Sequence, residues 1–182
     1  MKFVHPHSGP WRAATGDDGP LVSVTVQPHL LLTPAEWETV RGHWPAEIAV
    51  GIRLANDADP QVLAADLSRF AIVTLEFPTW TDGRAYSQAR LLRRRLSFAG
   101  ELRATGEVLA DMLPMLERTG FDAVELRADQ RQDVAERALA YFGAHYQADT
   151  LERQPLFARP PGAWKRAAYA ARLAFDAVGE TR

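Results

Sequence analysis

The stretch AIVTLEF, Ala71 to Phe77, runs into Pro78-Thr79-Trp80-Thr81-Asp82-Gly83-Arg84, and together they carry the clearest fold signal in the chain. Its first half is a short apolar run rich in β-branched residues, the pattern of a buried strand. Its second half carries turn formers and a capping carboxylate, and then a run from about Arg84 to Leu96 that reads as a helix. A buried strand leading directly into a helix is the start of a β-strand, crossover, β-strand unit with parallel strands.

The same rhythm repeats on either side of it. AVGIRL (Ala49 to Leu54) reads as a strand, and NDADP then caps a helix expected to reach about Leu67. A strand is expected around Leu102, a helix from about Val108 to Arg118, a strand at AVEL (Ala123 to Leu126), and a helix from about Gln132 to Phe142. Upstream, Thr33-Pro34-Ala35-Glu36 forms a helix start in which Thr33 caps, Pro34 takes the first position and Glu36 closes a capping box. LVSVTV (Leu21 to Val26) reads as a short strand. The expected fold is α/β: repeated βα units with a mainly parallel sheet, either a partial TIM-like barrel or a small open sheet, which periodicity does not separate. Residues 1–20, with HPHSGP and TGDDGP, are expected to be an irregular N-terminal arm. Residues 21–153 are expected to form the α/β domain, and 154–182 a Pro-rich connector (QPLFARPPG) and a C-terminal amphipathic helix with Trp164, Ala168, Ala171, Phe175 and Val178 on one stripe.

Composition narrows the chemistry. The 182 residues contain no cysteine, which removes disulfides, thiol nucleophiles and thiolate-held zinc or iron–sulfur centres. No histidine has a metal-ligand partner at i+3 or i+4 on an expected helix, so no metal site is expected. Glycine-rich dinucleotide and P-loop motifs are absent, the cofactor is unknown, and none is expected to be bound intrinsically. Formal net charge is −2, which provides no global basic field for nucleic acid. With no apolar run long enough to span a bilayer and no secretory leader, the expected location is the cytoplasm, with no membrane association. All cations except Lys2 and Lys165 are arginines, and Arg84, Arg90, Arg93, Arg94 and Arg95 crowd one segment.

Ligands of parallel α/β folds gather at the carboxyl ends of strands. Three exits are chemically loaded: Glu76 to Arg84, Arg103 to Glu107, and Arg127 to Asp129. A helix start at Gly83–Arg84 offers free N–H groups to an anion, and Arg84 and Arg103 would add bidentate donors on the same concave surface. The candidate anion- or partner-binding residues are Thr81, Gly83, Arg84, Tyr86, Arg90, Arg93, Arg103 and Gly106. Glu76 and Asp82 are the candidate acid–base residues. Plainer readings stay open at each position. Thr81 or Asp82 simply caps the helix, Arg90, Arg93 and Arg94 form a solvated face paired with Glu101 or Glu107, and Glu76 pairs with Arg84 or Arg103.

FPTWTDGRAYSQARLLRRRL (Phe77 to Leu96), GELRATGEVLADML (Gly100 to Leu113) and RTGFDAVEL (Arg118 to Leu126), in that order, resemble a bacterial family catalogued as domain of unknown function 934. The likeness is close over about residues 70 to 127. Its blocks fall on Phe77, Pro78, Thr81, Asp82, Gly83, Arg84, Tyr86, Ser87, Ala89, Arg90, Arg93, Glu101, Arg103, Gly106 and Asp111. Trp80 stands where the family usually has Phe, Met112 where Gln is common, and Thr119 where Cys is common. Members are typically encoded beside the assimilatory sulfite reductase hemoprotein and phosphoadenylyl-sulfate reductase, and are often labelled oxidoreductase without a defined reaction. The resemblance therefore implies a place in sulfate assimilation and cysteine supply, without a mechanism. The leading expectation is an accessory protein of sulfate and sulfite reduction, because the lack of cysteine argues against intrinsic redox catalysis. The expected partner is sulfite reductase hemoprotein or another sulfate-assimilation protein. Rival readings are an enzyme on a small anionic metabolite, an oxidoreductase subunit using a borrowed cofactor, and a homodimer with the Arg segment as its interface.

Overall fold

A computed structural model describes residues 1–5, 8–14, 24–141, 145–150, 153–160 and 162. Seven strands, β1 (Lys2–Val4), β2 (Arg12–Ala13), β3 (Leu30–Leu32), β4 (Val50–Leu54), β5 (Phe70–Phe77), β6 (Glu101–Gly106) and β7 (Ala123–Glu125), form one sheet in the order β1-β7-β6-β5-β4-β3-β2. Every pairing is parallel, and the sheet curls into a half-barrel. Four α-helices accompany it: α1 (Pro34–Val40), α2 (Arg84–Arg94), α3 (Leu113–Thr119) and α4 (Gln132–Tyr141). The parallel α/β reading holds, in its partial-barrel form.

Alternation along the strands sorts the two faces of the sheet. Leu32, Ile52, Leu54, Val73, Leu75, Phe77, Leu102, Ala104 and Val124 point to one side and are buried. The buried residues of all four helices, among them Trp37, Leu92, Leu116 and Ala135, join them in a single cluster, so the helices lie on that side. The opposite face is polar. The strand registers align Lys2 with Ala123, Ala123 with Arg103, Arg103 with Thr74, and Thr74 with Arg53, a continuous row across five strands. Above it Glu76 pairs in register with Thr105, and below it Gly51 aligns with Ile72 and Ile72 with Glu101. Curling crowds this face. A Cβ on Gly51 would sit 2.8 Å from Leu31 Cδ2 and would collide with Ile72, so glycine is what permits the close approach.

Several local expectations are corrected. The first 20 residues are not wholly irregular: β1 lies beside β7 and β2 beside β3. Phe3 is apolar enough to pack on the core, which holds β1 at the sheet edge. The expected strand at Leu21 to Val26 is absent over residues 24–26, while 21–23 fall outside the described residues. The place next to β4 goes instead to the apolar run Leu30–Leu32, entered through His29 at φ 64°. The stretch after NDADP forms two 3₁₀ turns, Pro60–Leu63 and Leu67–Arg69, the first capped by Asp59 through the Gln61 N–H. The expected helix from Val108 begins as a 3₁₀ turn (Ala110–Met112) and becomes α only at Leu113. Pro114 explains this, because its ring excludes the carbonyl four residues back from an α-helical turn. The capping box at Thr33 and Glu36 forms as expected, with Thr33 N donating to Glu36 Oε2 at 2.7 Å. The expected helix over 163–182 lies outside the described residues.

Candidate functional site

Strand β5 delivers its exit, Pro78 to Gly83, to the carboxyl edge of the sheet beside the exit of β6, where Phe77 aligns with Gly106. Hydrogen bonds fix this loop. Asp82 N donates to Thr79 O at 3.1 Å, and the Thr79 and Thr81 hydroxyls lie 3.2 Å apart. Gly83 is the N-cap of α2, and Asp82 serves the helix start from one position earlier, its Oδ1 accepting from Arg84 N at 3.2 Å. The same carboxylate takes the Arg84 fork, with Nε to Oδ1 at 3.0 Å and Nη2 to Oδ2 at 2.6 Å. Asn56 Nδ2, from the exit of β4, donates to Oδ2 at 2.7 Å.

Hydrogen bonds from the Arg84 side chain, chiefly, hold the Asp82 carboxyl down to about 2. Arg84 is in turn raised by its bond to Asp82. An acid held that low is a poor proton acceptor at neutral pH. It also occupies the position at the start of α2 that an external anion would take. Tyr86 packs edge-on against Phe77 with ring centroids 5.1 Å apart. Burial, with a smaller contribution from the Asp111 charge, pushes its phenol up to about 12.

The remaining candidates separate. Arg103 is 6% exposed, on the polar face of β6. Its Nε and Nη2 both donate to Glu101 Oε1, at 2.9 and 2.5 Å, which draws the guanidinium back toward the amino end of the strand and away from Arg84. Arg84 and Arg103 are thus each held by a carboxylate of their own, Asp82 and Glu101, and share no partner among the described residues. Arg93 is structural: Nε donates to Gly120 O at 2.9 Å, Nη1 to Phe98 O at 2.6 Å and Gly100 O at 2.8 Å, and Nη2 pairs with Asp122. Gly106 has φ 91°, and a Cβ there would stand 2.5 Å from Phe77 O, so it is needed by the backbone. Glu76 is exposed on the polar face with no hydrogen bond or ion pair to a described residue, so its expected pairing with Arg84 or Arg103 does not occur.

Other arginines at strand exits are also committed. Arg127 donates to both oxygens of Asp129 at 2.6 and 2.7 Å and to Glu107 at 2.7 Å, and Arg131 to Asp133 at 2.9 and 2.8 Å. The outer face of α2 differs. Ala85, Gln88, Ala89 and Leu92 turn inward, while Arg84, Ser87, Arg90 and Arg94 are exposed along the other side. Arg90 and Arg94 form no hydrogen bond or ion pair with a described residue. At the head of this stripe Trp80 is 57% exposed. Arg94 was not among the expected site residues, although its i+4 spacing from Arg90 places both on one helical stripe. Asn56 was also missed, because NDADP reads as capping material alone. Among the described residues no three histidine, aspartate or glutamate side chains gather as metal ligands, and no helix is long and apolar enough to cross a membrane.

A curled parallel sheet with helices on one side, and a cationic helix leading from a pinned strand exit, defines the class as a (β/α) half-barrel. The match to a family model described as bacterial protein of unknown function (DUF934) spans residues 51–157, and the chain belongs to that family. No curated protein matches it.

Proposed function

We propose that this chain is an accessory protein of assimilatory sulfate and sulfite reduction, serving cysteine biosynthesis in the cytoplasm. It docks an acidic face of a partner, the sulfite reductase hemoprotein being the expected one, through the outer side of α2. One observation carries the docking part of this reading. Arg90 and Arg94 stand exposed without a partner among the described residues, whereas Arg84, Arg93, Arg103, Arg127 and Arg131 are each held by a carboxylate or by carbonyls. Unpaired guanidinium groups on a rigid helix suit a partner's carboxylates, and Trp80 at the head of the stripe adds the aromatic anchor typical of interface hot spots.

The sulfur-assimilation part rests on the resemblance of residues 70–127 to proteins encoded beside the reductase. An enzyme acting on a small anionic metabolite finds less support. Asp82 already fills the anion position at the start of α2, and its carboxyl is held too low to accept protons near neutrality.

Complementation tests the reading. A deletion strain should grow poorly on sulfate and normally on cysteine. The wild-type gene should restore growth on sulfate, and an R90E/R94E gene should not, although its product accumulates to the same level. Equal growth of the deletion strain on both sulfur sources would remove the pathway assignment. Full rescue by R90E/R94E would remove the docking face.

A further inference from the structure

We propose that the cleft at the carboxyl ends of β1 and β7 is a binding site for a small, uncharged, planar heteroaromatic compound. This site is separate from the α2 face and independent of the function proposed for it. The cleft has a volume of about 310 Å³, at the lower end of the range that holds small organic ligands. It lies where two neighbouring parallel strands end, the general position of ligand sites in α/β sheets.

Phe3, Val4 and Leu126 are apolar lining residues, and His5 and Arg127 add an imidazole and a guanidinium, planar groups of the kind on which an aromatic ring stacks. The Arg127 fork is fixed by Asp129 and Glu107, so the guanidinium is rigid and two carboxylates more than offset its charge. An anion therefore gains little here, in contrast to a ring whose binding depends on stacking. His5 is exposed, and its ring has no hydrogen bond to a described residue. Gln132 donates its amide nitrogen to Glu136 Oε1 at 2.8 Å, which leaves its carboxamide oxygen to accept from a ring N–H.

Amide NMR titration of the full chain with benzimidazole, an uncharged fused ring carrying one N–H, tests the site. Benzoate serves as the anionic comparison. The expected result is a saturable shift confined to residues 3–5 and 126–132 and larger for benzimidazole than for benzoate. Ala128→Trp, which fills the cleft from an exposed turn position, should abolish the shift without lowering the melting temperature. His5→Ala should weaken binding about three- to tenfold, the value of one aromatic contact. The proposal is overturned by any of these results: no saturable shift, shifts centred elsewhere, persistence in Ala128→Trp, unchanged affinity in His5→Ala, or tighter binding of benzoate.

Discussion

Arg93 commits its fork to three carbonyls and the Asp122 carboxylate, which also accepts from Leu102 N at 2.8 Å. One side chain thereby ties α2 to the loop before β6 and to the turn before β7. Arg93→Ala should lower stability by about 3 kcal/mol, since it takes the donor from three carbonyls and the cation from the Asp122 carboxylate. Arg93→Lys should recover only part of this, because an ammonium cannot reproduce the planar fork. Urea denaturation of both variants checks the two expectations. The inward direction of Arg93 was readable in outline, four residues after buried Ala89, while Arg90 and Arg94 lie on the other side. The identity of its partners was not readable, because Phe98, Gly100 and Gly120 act through their carbonyls, which leave no trace in residue type. The Asp82 and Asp129 carboxyls make a second residue-scale case, each held at about 2 chiefly by a neighbouring arginine. A carboxyl depressed in the folded state contributes stability that is present above its unfolded value near 3.8 and lost as pH falls through about 2. Stability measured from pH 6 to 2 should therefore fall on the acid side, and Asp82→Asn and Asp129→Asn should each flatten part of that fall. A wild-type acid limb retained unchanged in both variants would refute the assignment.

Elements with strong local signals formed where the residues place them. The box at Thr33 and Glu36 starts α1, the β-branched run of Ala71 to Phe77 lies within β5, and the TDGR string makes the turn into α2. Thr33→Ala should lower stability by about 1 kcal/mol, as the loss of an N-cap does elsewhere, and thermal denaturation would show it. Elements set by tertiary context were the ones misread. Leu30–Leu32 is too short to announce a strand by itself, and becomes one because β4 offers it a parallel edge. β1 likewise exists through its register with β7, more than a hundred residues away in sequence. The polar face of the sheet went unrecognised although its signal was present: Arg53, Thr74, Glu76, Glu101, Arg103 and Thr105 alternate with apolar residues along β4, β5 and β6. The buried appearance of β5 hid this period of two, because Thr74 is 2% exposed and lies deep within the curl.

For the whole molecule, the half-barrel places its helices, core and cationic stripe on the convex side and its charged row on the concave side. Many of the described arginines are fasteners: Arg103 is locked to Glu101, Arg93 to the backbone, and Arg84 and Arg127 to neighbouring carboxylates. Arg90 and Arg94 on the outer side of α2 are exposed and have no partner among the described residues. Binding of the purified chain to purified sulfite reductase hemoprotein tests this division between fastening arginines and the exposed Arg90 and Arg94. With wild type, affinity should fall steeply as salt is raised, as expected for association steered by exposed charge. R90E/R94E should bind at least tenfold more weakly at low salt while melting at the wild-type temperature. Wild-type affinity in R90E/R94E, or binding indifferent to salt, would rule out the outer side of α2 as the docking face.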